Sequence, residues 1–182
     1  MPQGYIRFPT ISGDRILFTA EDDLWSVSTT GGRAERLTAG VAEATHASFS
    51  PDGALLAFSG RDEGPVEVYV MPADGGDARR LTYHGSRAFV AGWTPDGAKI
   101  LYASPAGQPF SSGALHEIAL AGGEPATWPY GPLHSVAFGP DGTRVFGRNT
   151  ADPARWKRYR GGTAGYLWIA SAGSDEIGRA HV

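Results

Sequence analysis

The sequence predicts an all-β chain, an incomplete β-propeller of about four blades of four antiparallel strands. Three observations carry this. A Pro-Asp-Gly turn recurs as Ser50-Pro51-Asp52-Gly53, Thr94-Pro95-Asp96-Gly97 and Gly139-Pro140-Asp141-Gly142, at spacings of 44 and 45 residues. That period matches the roughly 40–45 residues of a four-stranded propeller blade. Between the turns lie short runs rich in large apolar and β-branched residues, and none shows a helical 3.6-residue period. With 26 Gly and 13 Pro in 182 residues, the chain is punctuated by many tight turns.

Each blade follows the same order, clearest in the second, 45–83. An inner strand ending at Phe49 leads into the turn, where Pro51 presets φ and Gly53 accepts a left-handed conformation. Leu55–Phe58 is the second strand and Val66–Met71 the third, followed by the hairpin at Ala73-Asp74-Gly75-Gly76. Arg79-Arg80-Leu81-Thr82 reads as a short polar outer strand, suited to an edge that must not pair with strangers. The first blade, 5–38, repeats this with Ile16-Leu17-Phe18, Leu24–Val27, Gly31-Gly32 and Arg36-Leu37-Thr38. The third, 88–128, has Trp93, Ile100–Tyr102, Leu115–Ile118 and Gly122-Gly123. The fourth, 133–175, has Phe138, Val145-Phe146 and Leu167–Ile169, and is expected to be incomplete because no counterpart of Arg80-Leu81-Thr82 follows. The heptapeptide Glu176–Val182 reads as a sequencing-adapter artefact: one reverse translation, GAGATCGGAAGAGCACACGTC, is adapter sequence after its first base. Each blade is contiguous, so the ring is expected to close by blade-on-blade packing without an interlocked strand. The chain reads as part of a larger ring, with one apolar face left open at each end.

Composition excludes several classes of function. A net charge of −3 gives no basis for general nucleic-acid or membrane-surface binding. The absence of cysteine removes disulfides, thiolate metal sites and a cysteine nucleophile. No apolar run reaches the ~18 residues of a membrane helix, and Met1–Gly4 leads directly into Tyr5–Phe8 with no signal-peptide pattern, so a cytoplasmic location is expected. The sequence holds no Gly-x-Ser-x-Gly elbow and no glycine-rich phosphate loop, and His116-Glu117 continues as Ile118-Ala119-Leu120 instead of a zinc motif. No catalytic residue, cofactor or metal site is therefore assigned. Five scattered histidines read as structural, and Glu21-Asp22-Asp23, lacking alternating calcium-ligand spacing, reads as an exposed acidic turn.

Two groups are candidates for contact. Arg155, Trp156, Lys157, Arg158, Tyr159 and Arg160 combine guanidinium groups that pair with carboxylates and aromatic anchors, fitting contact with a peptide, a neighbouring domain or a subunit. Arg7, His46, Arg87 and His134 lie on or beside the innermost strands and are candidates for channel lining.

Stretches that do not repeat carry a resemblance. Gly13–Ile16 with Asp22–Trp25, Gln108-Pro109-Phe110-Ser111-Ser112, Gly147–Thr150 and Trp156–Gly165 resemble the N-terminal propeller of tricorn-type proteases over residues 4–175. The resemblance implies a six-bladed propeller of which four blades are present. It implies a large cytoplasmic serine peptidase that trims oligopeptides, assembles as a homo-hexamer, and carries a second propeller, a PDZ-like domain and its catalytic groups far downstream. The propeller would gate or conduct oligopeptides. A TolB-like propeller acting as a protein-interaction module is the alternative.

Overall fold

Sixteen strands, and no α-helix, make up the described part of the computed structural model, which comprises residues 5–40, 42–62, 64–109, 113–148, 165–174 and 176–179. They form four sheets, each an antiparallel meander. The first holds β1 (Arg7–Ser12), β2 (Arg15–Ala20), β3 (Asp23–Ser28) and β4 (Glu35–Arg36). The second holds β5 (Glu43–Phe49), β6 (Leu55–Arg61), β7 (Glu67–Pro72) and β8 (Arg79–Arg80). The third holds β9 (Phe89–Trp93), β10 (Lys99–Ser104), β11 (Ala114–Ala119) and β12 (Ala126–Pro132). The fourth holds β13 (Ser135–Phe138), β14 (Arg144–Arg148), β15 (Tyr166–Ala170) and β16 (Gly178–Arg179).

One correction concerns the last sheet. Blade 4 has an outer strand: β16 pairs with β15 through Trp168↔Arg179 and Ile169↔Gly178. These two residues fall within the heptapeptide read as adapter-encoded. The ladder uses backbone groups, and Arg179 stands opposite Trp168 as Arg36 does opposite Trp25 and Arg80 opposite Tyr69, so the absence of the leucine and threonine that follow did not preclude pairing.

The repeated turn is a small hydrogen-bonded ring. The Asp52 carboxylate accepts from the Ser50 hydroxyl at 2.5 Å and the Ala54 amide at 3.0 Å, while Ser50 Oγ accepts from Leu55 N at 2.9 Å. Thr94 and Asp96 repeat this at 2.6, 3.0 and 3.0 Å. At the third turn Gly139 brings no hydroxyl, and Thr143 supplies both donors to Asp141 instead. Gly53, Gly97 and Gly142 have φ of +73, +70 and +82°, the region in which a Cβ is strained.

Both faces of the middle blades are buried, and this stacks the sheets. Leu56, Phe58, Tyr69 and Met71 pack with Leu17 and Leu24 of the first blade. Ala57, Val68 and Val70 point the other way, to Trp93, Ile100, Tyr102 and Ile118 of the third. Leu101 and Leu115 then meet Phe146 and Ala170 of the fourth. Backbone joints repeat with the same period: the buried Ala44 and Ala88 donate to the carbonyls of Asp22 and Val66 at 2.8 and 2.9 Å. Among the described residues the two end faces lack such partners. Ile11, paired with Ile16, is 63% exposed on blade 1, and Leu167 and Ile169 are 48% and 43% exposed on blade 4.

The outer strands are less polar than their sequence indicates. Leu81 and Thr82 are buried, as is Thr38. Thr82 Oγ1 donates to the fully buried Glu67 carboxylate at 2.5 Å and accepts from Val68 N at 2.9 Å, while Arg80 pairs with Glu67 at 3.1 Å. Blade 1 builds the same clamp from Thr38, Asp23, Leu24 N and Arg36. Asp23 is thus a buried structural carboxylate, not part of an exposed acidic turn. Its side chain belongs to a strand whose next residue, Leu24, faces the core.

Two outcomes follow. Thr82→Val leaves a buried amide and a buried carboxylate oxygen without partners, and costs about 3 kcal/mol, read as a lowered urea midpoint at unchanged slope; a change below about 0.5 kcal/mol would contradict the clamp. The 182-residue chain self-associates through its end faces in analytical ultracentrifugation. The double variant Leu167→Ser, Ile169→Ser moves it toward monomer; a monodisperse wild-type monomer is the contrary result.

Candidate functional site

The start of each inner strand pairs with the end of the second: Arg7↔Thr19, Glu43↔Arg61, Phe89↔Ala103 and Ser135↔Gly147. The inner strands therefore begin on the rim that carries the connections between second and third strands. The Pro-Asp-Gly turns occupy the opposite rim.

At this first rim the register slips by one residue in three blades, between Arg7 and Thr10, Thr45 and Ser48, and Val90 and Gly92. A bulge of this kind bends the strand and re-aims its side chains. Phe8 and His46 occupy corresponding places in the first two bulges, with φ of +50° and +51°. A bulky side chain in this region costs on the order of 1–3 kcal/mol and persists only where surrounding structure holds it. The holding is mutual: the Phe8 and His46 rings lie 4.0 Å apart, and the His46 and Phe89 rings 5.0 Å apart. Three rings from three consecutive blades thus form a continuous ledge, with Phe8 exposed and His46 and Phe89 half-buried.

The four residues expected to line the channel take different positions. Arg7 pairs with Asp22 at 2.8 Å, and its guanidinium carbon lies 5.8 Å from the centre of the Phe8 ring. His46 is the centre of the ledge; its Nδ1 is 3.1 Å from Thr45 Oγ1, and burial, followed by the charge of Arg7, lowers its pKa. Arg87 is exposed and stands two residues before Phe89. His134 lies half-buried against blade 3, where a Cβ on Gly113 would come within 2.7 Å of its Nε2. The second group, Arg155, Trp156, Lys157, Arg158, Tyr159 and Arg160, lies outside the described residues, as do Phe110, Ser111 and Ser112.

The sequence did not single out Phe8 and Phe89 as site residues. The available signal was the closeness of Phe8 to Arg7 and of Phe89 to Arg87, but a bulge breaks the period-2 parity by which side chains are assigned to faces.

A second polar cluster joins blades 2 and 3. His84 Nε2 meets the Tyr102 hydroxyl at 2.6 Å, and the Tyr102 and His116 rings stack at 5.2 Å. His116 Nε2 lies 3.2 Å from the Ser104 carbonyl, which only accepts, so Nε2 carries the proton and Nδ1 accepts from Thr127 Oγ1 at 3.0 Å. Burial is the main cause lowering the His116 pKa and raising that of Tyr102. Neutral rings suit a joint between two packed faces.

A family model described as the tricorn protease N-terminal beta propeller domain matches residues 3–181. The chain belongs to that family. Tricorn protease homolog 1 of Streptomyces coelicolor is 43% identical over 178 residues, covering 97% of this chain and 17% of its own length. The solved structure of the tricorn protease superimposes with a TM-score of 0.85 at 32% identity, covering 98% of this chain and 18% of that one. TolB from Acinetobacter baumannii matches at 18% identity with a TM-score of 0.71 over 97% of this chain and 43% of its own, a likeness of fold alone. The chain thus spans about a sixth of the length of the tricorn relatives it matches.

In this tricorn-family propeller the two lowered histidines set a pH dependence. Below the unfolded-state value of 6.5 the unfolded chain binds protons that His46 and His116 do not yet bind when folded. Their contribution is complete above that pH and is lost as pH falls through their folded values. Asp52, Asp96 and Asp141, held below 3.8 chiefly by hydrogen bonds from Ser50, Thr94 and the Thr143 amide, add a second loss at lower pH. Urea midpoints measured from pH 8 to pH 3 are therefore expected to fall in two stages. A flat profile down to pH 5 would show that the histidines are not held neutral.

Proposed function

We propose that the chain is a non-catalytic propeller portion of a larger tricorn-type serine peptidase, and that it gates or conducts oligopeptides to or from an active site elsewhere in the parent. The observation that carries this reading is the ledge Phe8–His46–Phe89, built on the inner strands of three consecutive blades of a tricorn-family propeller. A wall of inner strands passes an extended chain and excludes a folded one, so selection there is steric, with local contributions from rings and charges. Family membership and the length of the relatives support a parent with further domains. Within the same proposal, the parent is a cytoplasmic hydrolase assembled as a homo-hexamer, and hydrolysis belongs to the parent's downstream region.

The full reading frame tests this. A peptidase region is expected downstream, the purified parent is expected to cleave fluorogenic oligopeptides, and the 182-residue chain is expected to cleave none. A frame that stops soon after the ring would favour a TolB-like interaction module. Turnover by the isolated chain, abolished by a substitution within it, would overturn the non-catalytic assignment.

A further inference from the structure

The outer corners between successive blades do not repeat as the strands do. Arg15, Leu55 and Lys99 hold one equivalent position, at the start of the second strand. Ser26, Val70 and Glu117 hold another, on the third strand beside it. Between blades 2 and 3 the corner is largely closed: Leu55, Val70 and Leu120 line it, Arg79 reaches across to the Leu120 carbonyl, and about 270 Å³ remains. In blade 3 the two positions neutralise each other, Lys99 pairing with Glu117, which also accepts from Trp128 Nε1 at 3.0 Å. Between blades 1 and 2 the corner stays open, with a volume of about 490 Å³. Sites for small molecules occupy roughly 300–1,000 Å³.

The polar groups of this open corner divide into two kinds. Arg15 is committed: it donates to the Asp74 carboxylate at 2.6 Å and to the Ala73 carbonyl at 2.5 Å, tying the two blades together. Ser26, Arg33 and Glu35 are not. Ser26 is only 8% exposed and lines the cavity, yet its hydroxyl has no partner among the described residues. A buried hydroxyl in that state carries a desolvation cost that a bound polar group relieves. Arg33 and Glu35 line the same cavity and form no ion pair or side-chain hydrogen bond among the described residues. Glu35 stands directly opposite Ser26 in the ladder, so the two share a face. Leu37, two residues on, packs against the core between the blades and gives the corner an apolar side.

The charges select the ligand. One unpaired cation and one unpaired anion stand two residues apart on the approach to an extended strand, a rise of roughly 7 Å. Two residues of extended peptide span about 7 Å as well, and a free dipeptide carries an ammonium at one end and a carboxylate at the other. A simple anion or cation would meet a like charge beside its partner. We propose that the outer corner between blades 1 and 2 is a binding site for a free dipeptide, whose carboxylate takes Arg33 and the Ser26 hydroxyl and whose ammonium takes Glu35. The site lies on the rim of the Pro-Asp-Gly turns, opposite the Phe8–His46–Phe89 ledge, and does not rest on the conduit reading.

Calorimetric titration of the 182-residue chain with Ala-Ala, N-acetyl-Ala-Ala, Ala-Ala amide and free alanine tests it. Ala-Ala is expected to bind at least tenfold more tightly than each of the other three. Arg33→Gln is expected to reduce Ala-Ala to the level of the amide, and Glu35→Gln to the level of the acetylated peptide. Both side chains are exposed, so the melting temperature should not change. Ser26→Ala is expected to weaken Ala-Ala at least threefold while keeping or raising the melting temperature, because the hydroxyl it removes has no partner in the folded chain. A Ser26→Ala variant that melts lower but binds as wild type would assign the hydroxyl a packing role and overturn its part in the site. Equal binding of the capped and free peptides would overturn the zwitterion, and equal binding of alanine would overturn the dipeptide length. Ala-Ala binding that survives Arg33→Gln and Glu35→Gln but is lost in His46→Asn would move the peptide to the ledge and overturn the corner site while leaving the conduit reading intact. No heat with Ala-Ala at millimolar concentration overturns the site outright.

Discussion

Each sheet of this chain is apolar on two faces, and four strands cannot bury both by themselves. In the second blade, alternate residues of β6 and β7 enter two different cores, Leu56, Phe58, Tyr69 and Met71 on one side and Ala57, Val68 and Val70 on the other. A blade is stable only between two others, which turns a local hairpin pattern into a stack. The hydrophobic term is non-directional and accepts many relative placements of two sheets. The direction comes from polar joints at fixed points: the amides of Ala44 and Ala88 on the preceding blade, and the His84–Tyr102–His116 cluster between blades 2 and 3.

The same constraint explains why carboxylates are buried at the outer edge. Two-residue outer strands such as β4 and β8 offer few backbone bonds to hold the fourth strand in place. Asp23 and Glu67 supply the missing hold by gathering a threonine hydroxyl and an arginine from that strand. A buried carboxylate is costly unless hydrogen-bonded and paired, and here the partners come from the correctly placed strand and the segment directly after it, Gly85 N adding a 3.0 Å bond to Glu67. Register and burial are thereby coupled: an outer strand displaced by one residue would leave a charge without partners. The cation–π contact of Arg80 with Tyr83, at 4.5 Å, continues this arrangement onto the surface.

Much of this was legible in the chain before its structure. The Pro-Asp-Gly period located the turns, and apolar runs between turns located the long strands, because both depend on residues within a few positions of one another. What was not legible depends on partners distant in sequence. Thr82 looks like an edge residue until Glu67 is found beneath it, 15 positions earlier. Asp23 looks like part of an exposed acidic run until Thr38 and Arg36 close over it. The outer strand β16 keeps only the arginine of the outer-strand pattern, Arg179 opposite Trp168, and one residue is too little to mark a strand in the sequence. Arg7 and His46 were identifiable as residues of inner strands, but Phe8 became a site residue only through a bulge, which leaves no mark in composition or spacing, and Phe89 only through its ring contact with His46 of the preceding blade.

The bulge also makes clear why the candidate site lies where it does. At the opposite rim, each Pro-Asp-Gly turn is fixed by a carboxylate, a glycine with positive φ and several short hydrogen bonds, and no latitude remains within the turn for adapting side chains to a ligand. At the other rim the inner strands begin after loops of varied length, and a one-residue slip changes which way a side chain points without disturbing the paired residues beyond it. Thr10↔Leu17 and Ser48↔Ala57 resume regular pairing directly after the slip. The blade core is therefore insulated from the strain at Phe8 and His46. This separation allows one end of the inner hairpin to be held constant for folding while the other departs from it, and the departures from the repeat are where recognition is to be sought.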